Sequence, residues 1–193
     1  MYEYRQLTSE QKAELVARRL ARGFPPHSPP HPIRLQTFYL LTAACYEHKH
    51  LLSQSRRQQL LDLIFEKFIE ESMKIRAWVI LSNHYHLLVY VNNFDRLGKL
   101  FNLIHGSTSR QWNLEDNTTG RKNWYCYSDR AIRSERYYYT TLNYIHYNPV
   151  KHGYVKSPYD WSESSVHLYL ENYGRKWLRD AWVQYPLRGY GKG

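Results

Sequence analysis

Two histidines, His84 and His86, lie one residue apart within an apolar stretch that covers residues 77–91. The polar pair Ser82-Asn83 divides this stretch, which predicts two strands joined by a tight turn. Alternate side chains of a strand share a face, so the two imidazoles stand together, about 7 Å apart along the strand. Such a pair can offer two nitrogen ligands to one metal ion. A hydrogen-bonded pair on the face of a sheet would explain the same spacing.

A second group of candidates lies in a tyrosine-rich stretch that follows Ser134. Ser134 is a typical N-cap, so residues 134–147 are predicted to form a helix, with Asn148-Pro149 near its end. At 3.6 residues per turn, Tyr144 and Asn148 lie on one stripe, where a phenol and an amide oxygen can approach a common centre. A helix that packs through its tyrosines, with Asn148 as its C-terminal cap, is the alternative interpretation.

The elements that must position these residues are predicted from hydrophobic periodicity and capping residues. In chain order, we expect a strand over residues 33–45, a helix from Ser53 or Ser55 to about Met73, the two strands of residues 77–91, a helix capped by Asp95, a strand over 124–133 and the tyrosine-rich helix. The order β-α-β-β-α-β-α is close to that of a ferredoxin-like fold. The predicted fold class is therefore α+β, an antiparallel sheet with helices on one face and both histidines on the other, open face.

The two ends of the chain are predicted to be appendages to this fold. Residues 1–32 comprise a charged helix over 8–22, with Thr8 and Gln11 as a capping box, and a proline-rich arm. Residues 33–170 form the main domain. Residues 171–193 form a basic and aromatic tail that either follows nucleic acid or covers the core.

The composition indicates a partner that carries phosphate. The 193 residues contain 27 Lys and Arg against 17 Asp and Glu, a formal charge of +10, and 19 tyrosines. Basic and aromatic residues together favour single-stranded nucleic acid, because rings stack on unpaired bases. No apolar run has the length of a membrane span and no apolar signal core is present, so a cytoplasmic protein without membrane contact is expected.

Two further sets of reactive side chains are predicted to be inert. Cys45 and Cys126 lie in strand-like runs, which favours reduced, buried thiols. His48 and His50 form a second His-x-His pair, but they lie in a polar connection and are predicted to be solvated.

Several of these motifs together resemble the REP-associated tyrosine transposases, a branch of the single-tyrosine HUH nucleases. The motifs are residues 77–86 (AWVILSNHYH), residues 131–133 (AIR), residues 144–155 (YIHYNPVKHGYV) and Trp161-Ser162. The resemblance covers about residues 33–167. The turn departs from the family pattern, since residues 81–83 are Leu-Ser-Asn where Met-Pro-Asn or Leu-Pro-Glu is common.

The resemblance implies a role for each matching residue. His84, His86 and Asn148 would bind a divalent metal, Mg²⁺ or Mn²⁺, and Tyr144 would be the nucleophile. The family cleaves single-stranded DNA beside palindromic hairpins through a 5′-phosphotyrosine intermediate. Some relatives complete each site with a partner's tyrosine helix, so a monomer and a homodimer are both compatible with the sequence.

The basic residues that would contact DNA are predicted only from their charge. The candidates are Arg110, Arg121, Lys122, Arg130, Arg133, Lys151 and Arg175. A non-catalytic protein that binds DNA hairpins is the alternative function, although the combination of His84, His86, Tyr144 and Asn148 argues against a decayed site. A replication or conjugation initiator of the wider HUH class is a third possibility, which the short chain disfavours.

Overall fold

The computed structural model describes residues 8–21 and 37–190. The helices and strands, in chain order, are α1 (Ser9–Ala21), β1 (Phe38–Ala44), α2 (Gln54–Glu70), β2 (Lys74–Ile80), β3 (His84–Tyr90), α3 (Leu97–Glu115), β4 (Ser128–Ala131), α4 (Glu135–Lys151) and α5 (Val166–Gln184). Short 3₁₀ turns precede α2, α3 and α5.

The four strands form one antiparallel sheet in the order β2-β3-β1-β4. This order places the two sequence-adjacent strands β2 and β3 side by side and inserts β1 between β3 and β4. The predicted α+β fold class is confirmed. Strands β2 and β3 are joined at Ser82-Asn83, as the sequence predicts, and the turn is closed by a hydrogen bond from the Leu81 N–H to the His84 carbonyl.

One face of the sheet carries the main apolar core. The side chains of Tyr85, Leu87 and Val89 on β3 point to this face and are fully buried, which confirms the predicted alternation. Helices α2 and α3 cover this face and contact each other. They contribute large buried residues, among them Leu60, Ile64, Phe68, Phe101, Ile104 and Trp112.

The other face, which carries His84 and His86, is not open as predicted. Helix α4 lies across β2 and β3, and α5 packs on α4. Leu142 and Ile145 of α4 are buried against Leu88 of β3 in a second apolar cluster. Burial of the apolar stripe of a helix stabilises the folded protein, so α4 packs across the strands instead of lying at their edge.

Several boundaries differ from the predictions. The predicted strand over 124–133 is a strand only at Ser128–Ala131, with one isolated pairing between Trp124 and Cys45. Cys126 is therefore exposed instead of buried, while Cys45 is a buried free thiol. Asp95 does not cap α3, because Phe94–Arg96 forms a 3₁₀ turn capped by the side chain of Asn93.

The ends of the chain are described in part. Thr8 and Gln11 form the predicted capping box, in which each side chain accepts a hydrogen bond from the other residue's backbone N–H. The proline-rich arm lies outside the described residues. Helix α5 runs across residue 171, where the tail was predicted to begin, and is interrupted only at Gly174, whose φ is 80°. Within residues 8–21 and 37–190, no helix has the length and apolar character that crossing a membrane requires.

Candidate active site

The two histidines of β3 are held by hydrogen bonds from neighbouring side chains. His84 Nδ1 lies 2.7 Å from Asn83 Oδ1, and Asn83 Nδ2 donates to the His48 carbonyl, which turns Oδ1 toward the histidine. His84 Nδ1 therefore donates, and a lone pair remains on Nε2. His86 Nδ1 lies 2.7 Å from Thr42 Oγ1, across the β1–β3 pairing. A threonine hydroxyl can accept as well as donate, so this contact is compatible with the tautomer that leaves the Nε2 lone pair of His86 available, the form that binds metal.

Tyr144 reaches this pair from helix α4. Its hydroxyl lies 3.3 Å from His86 Nε2, and its ring packs at 5.0 Å from the His86 ring in an edge-on arrangement. The helix begins at Ser134, whose side chain accepts from the Tyr137 N–H, so the predicted N-cap is confirmed. Tyr144 is only 7% exposed. The tyrosine and the histidines of one chain thus meet in that same chain.

Asn148 lies one helical turn after Tyr144 and is fully buried. Neither polar atom of its carboxamide has a hydrogen-bond partner of good geometry among the described residues. The amide is nevertheless close to both neighbours, since it raises the pKa of His84 and lowers the pKa of Tyr144. A buried amide without a partner costs free energy, about 1–3 kcal/mol, unless a ligand satisfies it. The alternative in which Asn148 only caps the helix does not explain its position beside His84.

The electrostatics of the site favour neutral histidines and a protonated phenol. Burial, with a contribution from His152, lowers the pKa of His84 to about 3. Burial and the neighbouring cationic groups also lower the pKa of His86 well below its usual value. Burial raises the pKa of Tyr144, which Asn148 and Arg130 partly offset. Neutral imidazoles are the form that binds metal, whereas the tyrosine needs help to ionise.

The donor set fits a hard or borderline divalent metal. Among the described residues, no three His, Cys, Asp or Glu side chains are grouped to hold a metal ion. A metal at His84 and His86 would therefore take its third ligand from the Asn148 amide oxygen, whose unmatched polar atoms are the observation that supports this fit. Two imidazoles and one amide add no negative charge, and they leave coordination positions for phosphate oxygens and water.

Several neighbours of the site were not predicted. Thr42 orients His86, but the β1–β3 register that brings them together is not visible in the sequence. His152, eight residues after Tyr144, packs its ring 4.9 Å from His84. Tyr190 packs at 5.1 Å from the Tyr144 ring and lies 2.6 Å from Thr141 Oγ1 through its hydroxyl. His152 directly follows the last residue of α4 and lies about two turns after Tyr144, a spacing that sequence analysis could have used.

The predicted DNA-contacting residues fall into two groups. Lys151 and Arg130 border the site. The Lys151 ammonium lies 5.0 Å from the centre of the Tyr144 ring, and the charge of Arg130 acts on both Tyr144 and His86. The other five are exposed or half-buried: Arg110, Arg121, Lys122, Arg133 and Arg175.

Arg121 differs from the other basic candidates because its guanidinium is occupied within the protein. It donates to Asn113 and Asn123 and pairs with Asp116 at 2.7 Å, which fixes the loop after α3. A role in holding this loop accounts for its presence. Its contact with DNA stays a prediction, as do those of the remaining candidates.

Comparison with known proteins assigns the family. The model of a family described as "Transposase IS200 like" matches residues 35–157, more than half of the chain. The chain belongs to this family. A REP-associated tyrosine transposase of Escherichia coli (strain K12) is 30% identical over 123 residues, which cover 59% of this chain and 72% of the relative. A putative REP-associated tyrosine transposase of Haemophilus influenzae is 33% identical over 118 residues, 51% of this chain and 65% of the relative.

A solved structure shares the fold of this transposase. It is described as "Structure of the REP associates tyrosine transposase bound to a REP hairpin". The two structures superpose with a TM-score of 0.60 and 24% sequence identity, over 75% of this chain and 86% of that chain. The resemblance stated from the sequence motifs is confirmed, and with it the prediction that the chain is an enzyme of the transposase class.

Proposed function

We propose that this transposase is a metal-dependent endonuclease and strand transferase for single-stranded DNA beside REP-type hairpins, acting through a 5′-phosphotyrosine. The observation that carries the proposal is the hydrogen bond at 3.3 Å between the Tyr144 hydroxyl and His86 Nε2, in a pocket shared with His84 and Asn148. A phenol, two oriented imidazoles and an amide without a partner form the constellation that phosphodiester transfer at a metal site requires.

The proposed substrate rests on the relatives and on the charge of the chain. Two relatives are REP-associated tyrosine transposases, and the structural neighbour was solved with a REP hairpin. The formal charge of +10 suits a polyanion, and Lys151 and Arg130 bring two cations to the border of the site. In this proposal, the two residues bind the phosphate that Tyr144 attacks.

A divalent metal, Mg²⁺ or Mn²⁺, would be held by His84, His86 and Asn148. When bound, it would polarise the scissile phosphate and neutralise part of the charge that develops there. Asn83 holds the His84 imidazole in the tautomer that this binding needs, and Thr42 orients the His86 imidazole and would accept from its Nδ1–H in the metal-bound form.

The covalent step takes place at the phenol oxygen of Tyr144. The phenol gives up its proton to water, its oxygen bonds to phosphorus as the bond from phosphorus to the 3′ oxygen breaks, and the 3′ oxygen takes a proton from water. A 5′-phosphotyrosine and a free 3′-OH result. The phosphodiester bond energy is conserved in the new ester, so the strand can be rejoined. A phenol of ordinary pKa ionises at pH 7 at a cost of about 4 kcal/mol. Burial of Tyr144 raises its pKa, and the Asn148 side chain and the positive charge of Arg130 act in the opposite direction.

The hydrogen bond between Tyr144 and His86 also suggests how the phenol is released. His86 Nε2 has one lone pair, which serves either the tyrosine hydroxyl or a metal. If His86 Nε2 served as a metal ligand, the Tyr144 hydroxyl would lose this hydrogen bond and would be available to a phosphate. His146, the other nearby histidine of α4, does not replace His86, because its Nε2 lies 3.0 Å from Ser165 Oγ on the far side of the helix.

The test is cleavage of a labelled DNA hairpin with single-stranded flanks, in Mg²⁺ and in Mn²⁺, followed by a denaturing gel. We expect a covalent protein–DNA adduct with the wild-type protein and none with Tyr144→Phe. Tyr147→Phe is the matched control, because Tyr147 lies on the same helix, is 38% exposed and packs on Trp182 instead of the histidines.

Two results would contradict the proposal. An adduct that persists in Tyr144→Phe would place the nucleophile elsewhere. Tight binding by the wild type, without a cut or an adduct in either metal, would favour the non-catalytic hairpin-binding protein.

A further inference from the structure

A cluster of aromatic and basic side chains lies at the end of the sheet where β1 and β3 meet the turns. The rings of Tyr46 and Tyr125 pack with centroids 5.0 Å apart, and His48 packs on Tyr125 at 5.9 Å. The Lys122 ammonium lies 4.5 Å from the centre of the Tyr46 ring and 5.9 Å from that of Tyr125. We call Tyr46, His48, Lys122 and Tyr125 the aromatic platform. None of these four residues is buried.

The backbone that carries the platform is strained. Glu47 and His48 both adopt the left-handed conformation, with φ of 55° and 53°. Each such non-glycine residue costs free energy, and strain of this kind is concentrated at binding and catalytic sites. The Tyr46–His48 turn is held in place by a hydrogen bond from the Tyr46 N–H to the Asn123 carbonyl. The strained turn presents the rings of Tyr46 and His48 beside Tyr125, which lies on a separate segment.

The platform is joined to the candidate active site through one residue. Asn83 donates from Nδ2 to the His48 carbonyl at 3.1 Å and accepts from His84 Nδ1 at 2.7 Å through Oδ1. The Asn83 carbonyl also accepts from the Cys45 N–H, directly before Tyr46. The charge of His48 contributes to lowering the pKa of His84, which agrees with their proximity. The Asn83 side chain thus bridges the backbone of His48, in the platform, and the imidazole of His84.

The surroundings extend this surface on the side of Ser82. His50 Nδ1 lies 2.6 Å from Ser82 Oγ, which in turn lies 2.5 Å from the Tyr154 hydroxyl. The second His-x-His pair is therefore exposed, as predicted, but both of its histidines are fixed by contacts to other segments. Two lysines and one carboxylate lie in this region. Glu47 pairs with Lys49 at 2.7 Å, whereas the Lys122 ammonium lies over the Tyr46 ring.

We propose that the aromatic platform binds unpaired bases of the single strand that enters the site at His84, with Lys122 on the adjacent phosphate. The inference rests on the proposed function and specifies which residues the single-stranded DNA contacts as it approaches His84. An aromatic ring with an ammonium in contact beside it suits a nucleotide, because the base can stack on the ring while the phosphate pairs with the ammonium. Without DNA, the Lys122 ammonium lies over the rings of Tyr46 and Tyr125. A bound phosphate would attract this ammonium, and a ring face would then be available for a base to stack on.

The test compares binding of two DNA probes in the presence of a chelator, so that no strand is cut. One probe is a DNA hairpin with oligothymidine extensions on both sides, and the other is the same hairpin without extensions. We expect Tyr125→Ala to weaken binding of the extended hairpin by about 5- to 150-fold, the loss of one stacked base, and to leave the blunt hairpin unchanged. Lys122→Ala should lower the slope of log affinity against log salt by about 0.7 for the extended probe.

Two variants keep the comparison specific. Tyr125→Trp retains a stacking face and should bind the extended hairpin as tightly as the wild type does, which separates stacking from loss of structure. Tyr173→Ala is the control, because Tyr173 is 58% exposed and belongs to another ring cluster, on α5 with Trp177. It should not change the binding of either probe.

The outcomes separate this inference from the proposed function. If Tyr125→Ala binds both probes as tightly as the wild type does, while the wild type forms the Tyr144 adduct in the presence of metal, the proposed role of the platform is overturned. The proposed function is then supported. If Tyr125→Ala loses affinity for the extended probe only, but the wild type forms no adduct, the platform stands and the function is overturned. Equal loss for the extended and blunt hairpins would also overturn the platform.

Discussion

Two tyrosine–histidine hydrogen bonds lie on opposite faces of the same sheet. On the face covered by α2 and α3, the Tyr85 hydroxyl lies 2.8 Å from His105 Nε2. On the face covered by α4, the Tyr144 hydroxyl lies 3.3 Å from His86 Nε2. His86 is buried and His105 is half-buried, and burial lowers the pKa of each. By burial and pairing alone, the two faces would be equal candidates for an active site.

The neighbours of the two pairs are different. His105 is stacked on Trp124 with ring centroids 4.4 Å apart and packs on Phe101, and only burial shifts its pKa. His86 has a second imidazole 5.0 Å away, at His84, and the charges of Lys151 and Arg130 also act on it. One pair is enclosed by rings, whereas the other borders cations and a buried amide without a partner.

This difference shows what separates a structural pair from a functional one. A hydrogen bond between buried groups satisfies both partners, and it adds stability without chemistry. On the α4 face, the buried amide of Asn148, without a hydrogen-bond partner of good geometry, lies beside the two imidazoles, and positive charge collects next to the phenol. The opposite face also has a buried polar atom without a partner, Trp112 Nε1, but an indole N–H cannot bind a metal. Perturbed pKa values occur on both faces, so they do not identify the site without these neighbours.

Removal of the two hydroxyls should produce the largest contrast. Tyr144→Phe is expected to lower the rate of adduct formation by at least about 10⁴-fold, because it deletes the nucleophile. Tyr85→Phe should change this rate by less than about two-fold, since its hydroxyl only satisfies His105. Single-turnover cleavage of the flanked hairpin measures both rates. Equal losses in the two variants would abolish the distinction between the faces.

The hydrogen bond from β1 to His86 provides the next contrast. Thr42→Val removes the partner of His86 Nδ1 and should lower the affinity for Mn²⁺ by about 10- to 100-fold. Thr108→Val is the control across the sheet, because the Thr108 hydroxyl accepts from Trp124 Nε1 and lies far from the α4 face. Isothermal titration with Mn²⁺ gives both affinities. A Thr42→Val protein that binds Mn²⁺ as the wild type does would show that His86 needs no such support.

Acid should destabilise the protein through its buried histidines on both faces. The pKa values of His105 and His146 are lowered to about 3 by burial, from about 6.5 in an unfolded chain. Above pH 6.5 both states are neutral and the stability is complete; as the pH falls toward 3, the unfolded chain binds protons that the folded chain does not. The free energy of unfolding should fall by up to about 1.4 kcal/mol per pH unit for each histidine.

The same measurement can assign part of this acid sensitivity to one histidine. His105→Gln should reduce the dependence of stability on pH between about 6.5 and 3. Urea unfolding at a series of pH values gives the slope for the wild type and the variant. An unchanged slope in His105→Gln would mean that this histidine does not stay neutral in the folded state.

The smallest expected effect is on the stability of the core. Tyr85→Phe should lower the free energy of unfolding by about 1 kcal/mol, because His105 Nε2 loses its partner while the ring remains packed. Urea unfolding at neutral pH measures this loss. A change above about 3 kcal/mol would indicate that the Tyr85 hydroxyl organises more than one contact.

Much of the fold follows from local sequence patterns. The alternation in residues 84–90 places His86 and Leu88 on one face and Tyr85 and Leu87 on the other, as observed. The caps at Thr8 and Ser134 also act as predicted, because an N-cap depends on residues within one turn. Asp95 was predicted wrongly as a cap, since the 3₁₀ turn capped by Asn93 competes for the same backbone groups.

Within the site, the sequence indicated the residue types and the structure decided how they meet. Periodicity placed His84 with His86 on one strand face and Tyr144 with Asn148 on one helix stripe, and the resemblance to the tyrosine transposases implied their roles. The contacts of Thr42 with His86 and of His152 with His84 depend on strand register and on where α4 crosses the sheet. Register and crossing are set by packing between segments far apart in the chain, which no local period encodes. For the same reason, only the tertiary structure showed that α4 covers the histidine face.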